Sequence, residues 1–337
     1  MQTRHIQTDG LKQQILEAGT GPLVLLIHGF PELGISWRAQ VQALAEVGFH
    51  AVAADMRGYG STEKPTNVAD YSILHLVGDM VDLVRALGET SCVVVGHDWG
   101  APVVWSLAQQ HPDRCHGVAT LCVPYIPQGF APEAIIPLAD RAIYPEATFP
   151  AAQWDYMMFY RENFAAACAG FDGDVRATVK LLFRAGSAAG KGQPAATAFP
   201  RANGGWFGPG GKAPDMPRDE TVLTQEDENR YTAALEANGF FGPDSWYMNG
   251  RANMAYAARA PDGGRLAMPA LFLHAAFDYV CETLDSTLAE PMRAHCADLT
   301  EAIVESGHWM AQEKPAEVNA ALAKWLAARL PDLWPKR

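Results

Sequence analysis

Short apolar runs alternate with longer stretches of helical spacing along most of this chain. Leu23-Val24-Leu25-Leu26-Ile27 is unbroken and stops at His28-Gly29. From Trp37 to Val47, Val41, Leu44, Ala45 and Val47 recur on one side of an expected helix. Ala51-Val52-Ala53-Ala54 follows and stops at Asp55-Met56-Arg57-Gly58-Tyr59-Gly60. A second helix is expected from Tyr71 to Leu87, with Leu74, Val77, Val81, Val84 and Leu87 along one face. Cys92-Val93-Val94-Val95 and Val118-Ala119-Thr120-Leu121-Cys122 are further strand-like runs. Apolar runs of this length, separated by helical patterns, indicate βαβ units and a mostly parallel sheet.

The alternation stops near Tyr125. From there to Gly264 the chain is rich in Ala, aromatic residues and Met, with a Gly/Pro-rich loop from Ala202 to Pro217. Strand and helix patterns resume at Ala270-Leu271-Phe272-Leu273, at Ala302-Ile303-Val304 and in a closing helix from Ala316 to Leu330. The expected organisation is one α/β domain in two pieces, residues 1–124 and 265–337, with a mostly helical insertion, 125–264, between them. An insertion at that point lies over the carboxyl ends of the strands, where open α/β sheets bind ligands.

Composition narrows the function classes. The 337 residues suffice for such a core plus a sizeable insertion, and 49% hydrophobic with 19% charged residues describe an ordinary globular protein. A net charge of -12 argues against a nucleic-acid partner or an anionic membrane surface. No apolar stretch approaches the roughly 18 residues of a membrane span. The start, Met1-Gln2-Thr3-Arg4-His5, is polar, so a cytoplasmic protein is expected. The six cysteines are scattered without zinc-ligand spacing and read as reduced core residues. The segment Gly204 to Lys212 is no phosphate loop: Trp206 stands where the first glycine is required and Ala213 where Ser or Thr is required.

The chemistry centres on Gly96-His97-Asp98-Trp99-Gly100, between the Cys92 strand and a helix-like segment from Ala101 to Leu107. This is the strand-turn-helix setting of a nucleophile elbow, with Asp where a lipase or esterase carries Ser. A carboxylate can displace a leaving group from saturated carbon and remain as an alkyl ester. In this fold the chain order is nucleophile, acid, histidine. His308 in Ser306-Gly307-His308-Trp309 is the histidine, and Asp278 in Phe277-Asp278-Tyr279 the acid, with Glu282 as a nearby alternative. The exit of the Cys122 strand offers no carboxylate. The oxyanion hole is expected from the backbone N–H groups of Trp99 and Phe30. Phe30-Pro31 is a candidate cis peptide. Phe30, Pro31, Trp99 and Trp309 are expected to wall an apolar pocket, together with Trp246 and the Met-rich insertion.

Together, His28-Gly29-Phe30-Pro31-Glu32, Asp55-Met56-Arg57-Gly58-Tyr59-Gly60-Ser61, the Asp98 elbow and Gly307-His308-Trp309 resemble the α/β-hydrolase-fold epoxide hydrolases, in particular their soluble branch. The resemblance covers nearly the whole chain. It implies that the insertion is a cap carrying two tyrosines whose hydroxyls face the epoxide oxygen. Trp154-Asp155-Tyr156 resembles the first segment, with Tyr160 competing with Tyr156, and Phe241-Gly242-Pro243-Asp244-Ser245-Trp246-Tyr247 resembles the second, implying Tyr247. The Gly/Pro-rich loop departs from the family, which leaves the shape of the cap open. The implied reaction turns a small apolar epoxide and water into a vicinal diol through an ester on Asp98. His308, oriented by Asp278, then activates the water, and no metal or organic cofactor is called for. A monomer or homodimer is expected. Two other readings stay open: a haloalkane or haloacid dehalogenase using the same Asp98, and a non-catalytic binding protein on the hydrolase fold. Against the dehalogenase, Phe30 stands where haloalkane enzymes often present Asn, and no arginine neighbours Asp98.

Overall fold

A computed structural model describes residues 1–335. Eight strands form one sheet: β1 (Gln2–Gln7), β2 (Lys12–Ala18), β3 (Leu23–Ile27), β4 (His50–Ala54), β5 (Cys92–His97), β6 (Cys115–Leu121), β7 (Leu266–Ala275) and β8 (Cys296–Val304). Their order is β1-β2-β4-β3-β5-β6-β7-β8. From β4 to β8 every neighbouring pair is parallel, and β1 and β2 add an antiparallel edge. Every residue of β3 is buried, as a strand covered by helices on both faces requires. Helices α1 (Arg38–Glu46), α2 (Ile73–Ala86) and α3 (Gly100–Gln110) are the crossovers of the first half.

The expected strands and crossover helices are present within a few residues. One reading needs correction, and one pair of strands has no counterpart in the sequence pattern. The β1–β2 hairpin was not anticipated, because an edge strand such as Gln-Thr-Arg-His-Ile-Gln buries only Ile6 and so carries almost no apolar signal. Leu74 does not share the buried face of α2: it is 45% exposed, while Ile73, Leu76, Val77, Met80, Leu83 and Val84 face the core. The stripe is wider than a single row of positions and is centred to one side of Leu74.

Between β6 and β7 the described residues form helices and turns and add nothing to the sheet. The main helices are α4 (Asp155–Asp172), α5 (Val175–Leu182), α6 (Gln225–Asn238), α7 (Phe241–Ser245) and α8 (Gly250–Ala257), and α9 (Pro315–Arg329) closes the chain. The helix α6 starts in a Thr224–Asp227 capping box. The same Asp227 carboxylate receives both Arg38 guanidinium nitrogens at 2.7 Å, tying α6 to the start of α1. Ser36 and Tyr231 hydroxyls meet at 2.6 Å, and the Ile73 N–H donates to Asn253 Oδ1 at 2.9 Å. These bonds tie the helical segment to the chain that follows β3 and β4. Among the described residues no helix is long and apolar enough to cross a membrane.

Candidate active site

The sheet delivers its chemistry at the carboxyl ends of its central strands. β5 ends at His97, α3 begins at Gly100, and Asp98 between them has φ 48°. A non-glycine residue in the left-handed region is uncommon and is held there only by its surroundings. Close approach supplies the restraint: a Cβ on Gly100 would run into the Ile27 carbonyl, so α3 starts hard against β3. The elbow thus needs its second glycine for space, while the unusual torsion falls on the aspartate.

Three loops converge on the site of that carboxylate. Phe30 N–H, in the loop after β3, donates to Asp98 Oδ1 at 2.7 Å, and the Phe30-Pro31 peptide is cis. His308, after β8, places Nε2 3.4 Å from Asp98 Oδ2. Its Nδ1 lies 2.7 Å from Asp278 Oδ2, after β7. The other Asp278 oxygen accepts the Val280 and Cys281 N–H groups at 3.0 Å. Burial works to discharge both His308 and Asp278. Their mutual attraction outweighs it, so the imidazole is held well above its usual pKa and the carboxyl below its own. Glu282 lies elsewhere in function: its carboxylate accepts the Leu284, Asp285 and Ser286 N–H groups and so caps its own turn. Trp99 N–H, the second expected oxyanion donor, is not bonded to the Asp98 carboxylate. Its nitrogen does lie close against Gly29, the residue before Phe30.

The helical segment closes the site from above. Tyr156 and Tyr160 come from α4, and Tyr247 from the turn after α7. Tyr247 packs edge-on against Phe30 (5.5 Å), Trp99 (5.1 Å) and Tyr156 (5.5 Å). Tyr160 stacks on Tyr247 at 4.8 Å and 11°, and its hydroxyl donates to Asp244 Oδ1 at 3.0 Å. Among the described residues the Tyr156 and Tyr247 hydroxyls have no protein acceptor, so Tyr160 is the one of the three already engaged. Burial raises the pKa of Tyr156 and Tyr247 well above that of free tyrosine, with the Asp98 charge adding to it. Both hydroxyls therefore keep their protons at neutral pH.

A cavity of about 550 Å³ leads to these groups, lined by Asp98, His308, Tyr156 and Tyr247. Phe30, Pro31 and Trp309 line it, joined by Phe171, Trp206 and Leu182. Trp99, Trp246 and the methionines of the insertion do not line it. Trp246 is 1% exposed and packs beneath, against Tyr59 and Trp99. Its indole props Trp99 and stands outside the cavity lining. Trp206 comes from the Gly/Pro-rich loop. Read as a loop, that segment gave no sign that its one indole turns inward against Tyr156 (5.5 Å) and Phe171 (5.4 Å).

Two residues quoted above only as parts of motifs belong to the site. His97 and Glu32 are both buried. His97 Nδ1 is 2.8 Å from Glu32 Oε2 and Nε2 is 2.7 Å from the His308 carbonyl. Both contacts are acceptors, so the ring donates from both nitrogens and carries a charge. Burial opposes that charge, but Glu32 raises the His97 pKa to about 10, and His97 in turn holds Glu32 at about 2. The pair braces the backbone of His308 from beneath. Other motif residues have framework duties. Arg57 makes two 2.6 Å bonds to Asp79 on α2, and Asp55 Oδ1 accepts the Gly34 N–H at 2.7 Å.

His97, Cys122 and His308 have potential ligand atoms within 4.8 Å of one another. Both His97 nitrogens face oxygen acceptors, and Cys122 Sγ donates to the His308 carbonyl at 3.2 Å, so the cluster is already satisfied by protein groups. The cysteines are all free, five of them buried.

A nucleophile elbow on a parallel sheet, an acid after β7, a histidine after β8 and helices inserted after β6 define the α/β hydrolases. The α/β hydrolase fold family matches residues 22–315. Epoxide hydrolase A of Mycobacterium tuberculosis is 34% identical over 330 residues, covering 96% of each chain. The pig bifunctional epoxide hydrolase 2 is 33% identical over 318 residues, 94% of this chain, but the chain spans only 53% of that relative's length. The crystal structure of epoxide hydrolase A from Mycobacterium thermoresistibile superposes with a TM-score of 0.78 at 31% identity, covering 97% of this chain and 98% of that one. The chain belongs to this family and, within it, to the epoxide hydrolases.

Proposed function

We propose that this protein hydrolyses epoxides to vicinal diols through a covalent ester on Asp98, beneath a cap formed by residues 125–264. The observation that carries the reading is the pairing of a carboxylate nucleophile with two buried, protonated tyrosines across one cavity. Asp98 attacks an epoxide carbon and breaks its bond to oxygen. Tyr156 and Tyr247 donate to that oxygen as charge develops on it, and one proton passes to the alkoxide. General-acid assistance of this kind typically contributes about 10²–10⁴-fold.

The electrostatics support a second half-reaction by His308. In the free protein its imidazole faces two carboxylates, Asp98 and Asp278. Esterification makes Asp98 neutral and removes one of the two anions holding the proton, so His308 becomes a better base once the intermediate exists. Once that proton has passed to the tyrosinate left by ring opening, His308 takes a proton from water, which attacks the ester carbonyl. Phe30 N–H, already directed at Asp98 Oδ1, stabilises the oxyanion, with Trp99 N–H beside it. Release of the diol restores the carboxylate.

One turnover in heavy-oxygen water tests the ester, because the label must enter Asp98 before the diol. Label arriving in the diol of the first turnover overturns it. His308→Gln is expected to accumulate an adduct equal in mass to protein plus epoxide. A dehalogenase would instead release halide from an alkyl halide, a reaction in which the tyrosine pair has no proton to deliver.

A further inference from the structure

We infer that the site accepts epoxides with one bulky side only: a large substituent on one ring carbon and no more than a methyl group on the other. This rests on the epoxide-opening reading above and concerns the shape of the space around Asp98. The large cavity is not the only space Asp98 borders. A second, much smaller space of about 20 Å³ also borders it. Asp98, Tyr156 and Val280 line both spaces, so the nucleophile and one of the oxygen-binding hydroxyls stand at their junction. An epoxide held there by Asp98 and Tyr156 must project its two carbon ends in different directions. One end has about 550 Å³ open to it, and the other about 20 Å³.

The small chamber has room for one water-sized group. Its remaining walls are Trp99, Pro102, Val123, Phe130 and Cys281, and they are firm. Val123 and Cys281 are buried, Pro102 sits in the first turn of α3, and Phe130 is wedged edge-on between Trp99 and Trp154, with ring centres 5.7 Å from each. Close-packed interiors yield little to an oversized group. In contrast, the large cavity is bordered by loop residues such as Gly190, Gln193 and Pro194, and a substituent there can extend toward solvent. Selection by such a chamber is steep, because one surplus carbon against a packed wall changes kcat/KM by about 10–200-fold.

The test is a graded series on the intact protein: styrene oxide, trans-β-methylstyrene oxide and trans-stilbene oxide. They share one phenyl group and differ at the second carbon by hydrogen, methyl and phenyl. The first two are expected to turn over at rates within about tenfold of each other, and the third at least about 100-fold more slowly. Phe130→Ala widens the chamber without touching a reacting group. It is expected to raise the stilbene-to-styrene ratio of kcat/KM at least about tenfold, with Val123→Ala as the milder variant if Phe130→Ala does not fold. Comparable turnover of all three epoxides overturns the inference and leaves the epoxide-hydrolase reading intact, as does a ratio unmoved by a folded variant. Diol from none of them overturns the reading on which it rests.

Discussion

His97 and Glu32 form a charged pair at 2.8 Å in which each side chain is 1% exposed, directly under the loop that carries His308. Breaking such a buried pair typically costs about 3–5 kcal/mol, since the remaining charge has no partner. The pH dependence follows from both members. His97, raised to about 10, stabilises the fold fully below its usual pKa and loses the contribution as pH rises through about 10. Glu32, lowered to about 2, contributes above its usual pKa and loses the contribution as pH falls through about 2. Glu32→Gln is therefore expected to lower Tm most near pH 6 and least near pH 10. Calorimetry of both proteins across that range checks it, and a difference independent of pH would show that His97 is uncharged.

The three tyrosines should separate by step and by size of effect. Tyr156→Phe and Tyr247→Phe each remove a hydroxyl that faces the cavity and should lower the rate of ester formation about 10²-fold or more. Tyr160→Phe should leave that rate within a few-fold. It should instead destabilise the protein by about 1–3 kcal/mol, because Asp244 loses its hydroxyl partner in a fully buried place. Rapid-quench measurement of the single-turnover rate, paired with thermal unfolding, distinguishes the outcomes. A large rate loss in Tyr160→Phe with normal stability would reassign the first tyrosine.

Gly29 leaves no room beside Asp98. A Cβ added there would collide with Oδ1 and Cβ of Asp98 and with the Trp99 nitrogen. Gly29→Ala is expected to abolish turnover by displacing Asp98 from the Phe30 N–H, with a change in Tm too small to account for the loss. Activity assays beside a thermal melt, and the absence of any covalent adduct, would confirm that the nucleophile itself has moved.

The strands from β3 to β8 were legible because short, almost purely apolar runs leave few alternatives to a buried parallel sheet. Asp98, Asp278 and His308 were legible because chain order and strand-exit position mark them. Glu32 and His97 were hidden in plain view: each stands in a quoted motif, but their pairing spans 65 positions and leaves no periodic trace. Trp206 was illegible for a similar reason, since a loop composition says nothing about which way one indole points. Leu74 and Trp246 misled, because apolar character alone does not tell a core face from its margin or a pocket wall from its support.

What the chain alone determined is the sheet, the place of the inserted helices and the chemical types that gather at the strand ends, since these follow from local pattern and residue type. Tertiary structure decided what those groups do to one another. It engaged Tyr160 with Asp244 and left Tyr156 and Tyr247 facing the cavity, and it set His308 between two carboxylates. It also left two spaces of very different size beside Asp98. Hydrogen bonds, charge coupling and volume depend on distances between residues far apart in sequence, and only the packed fold sets those distances.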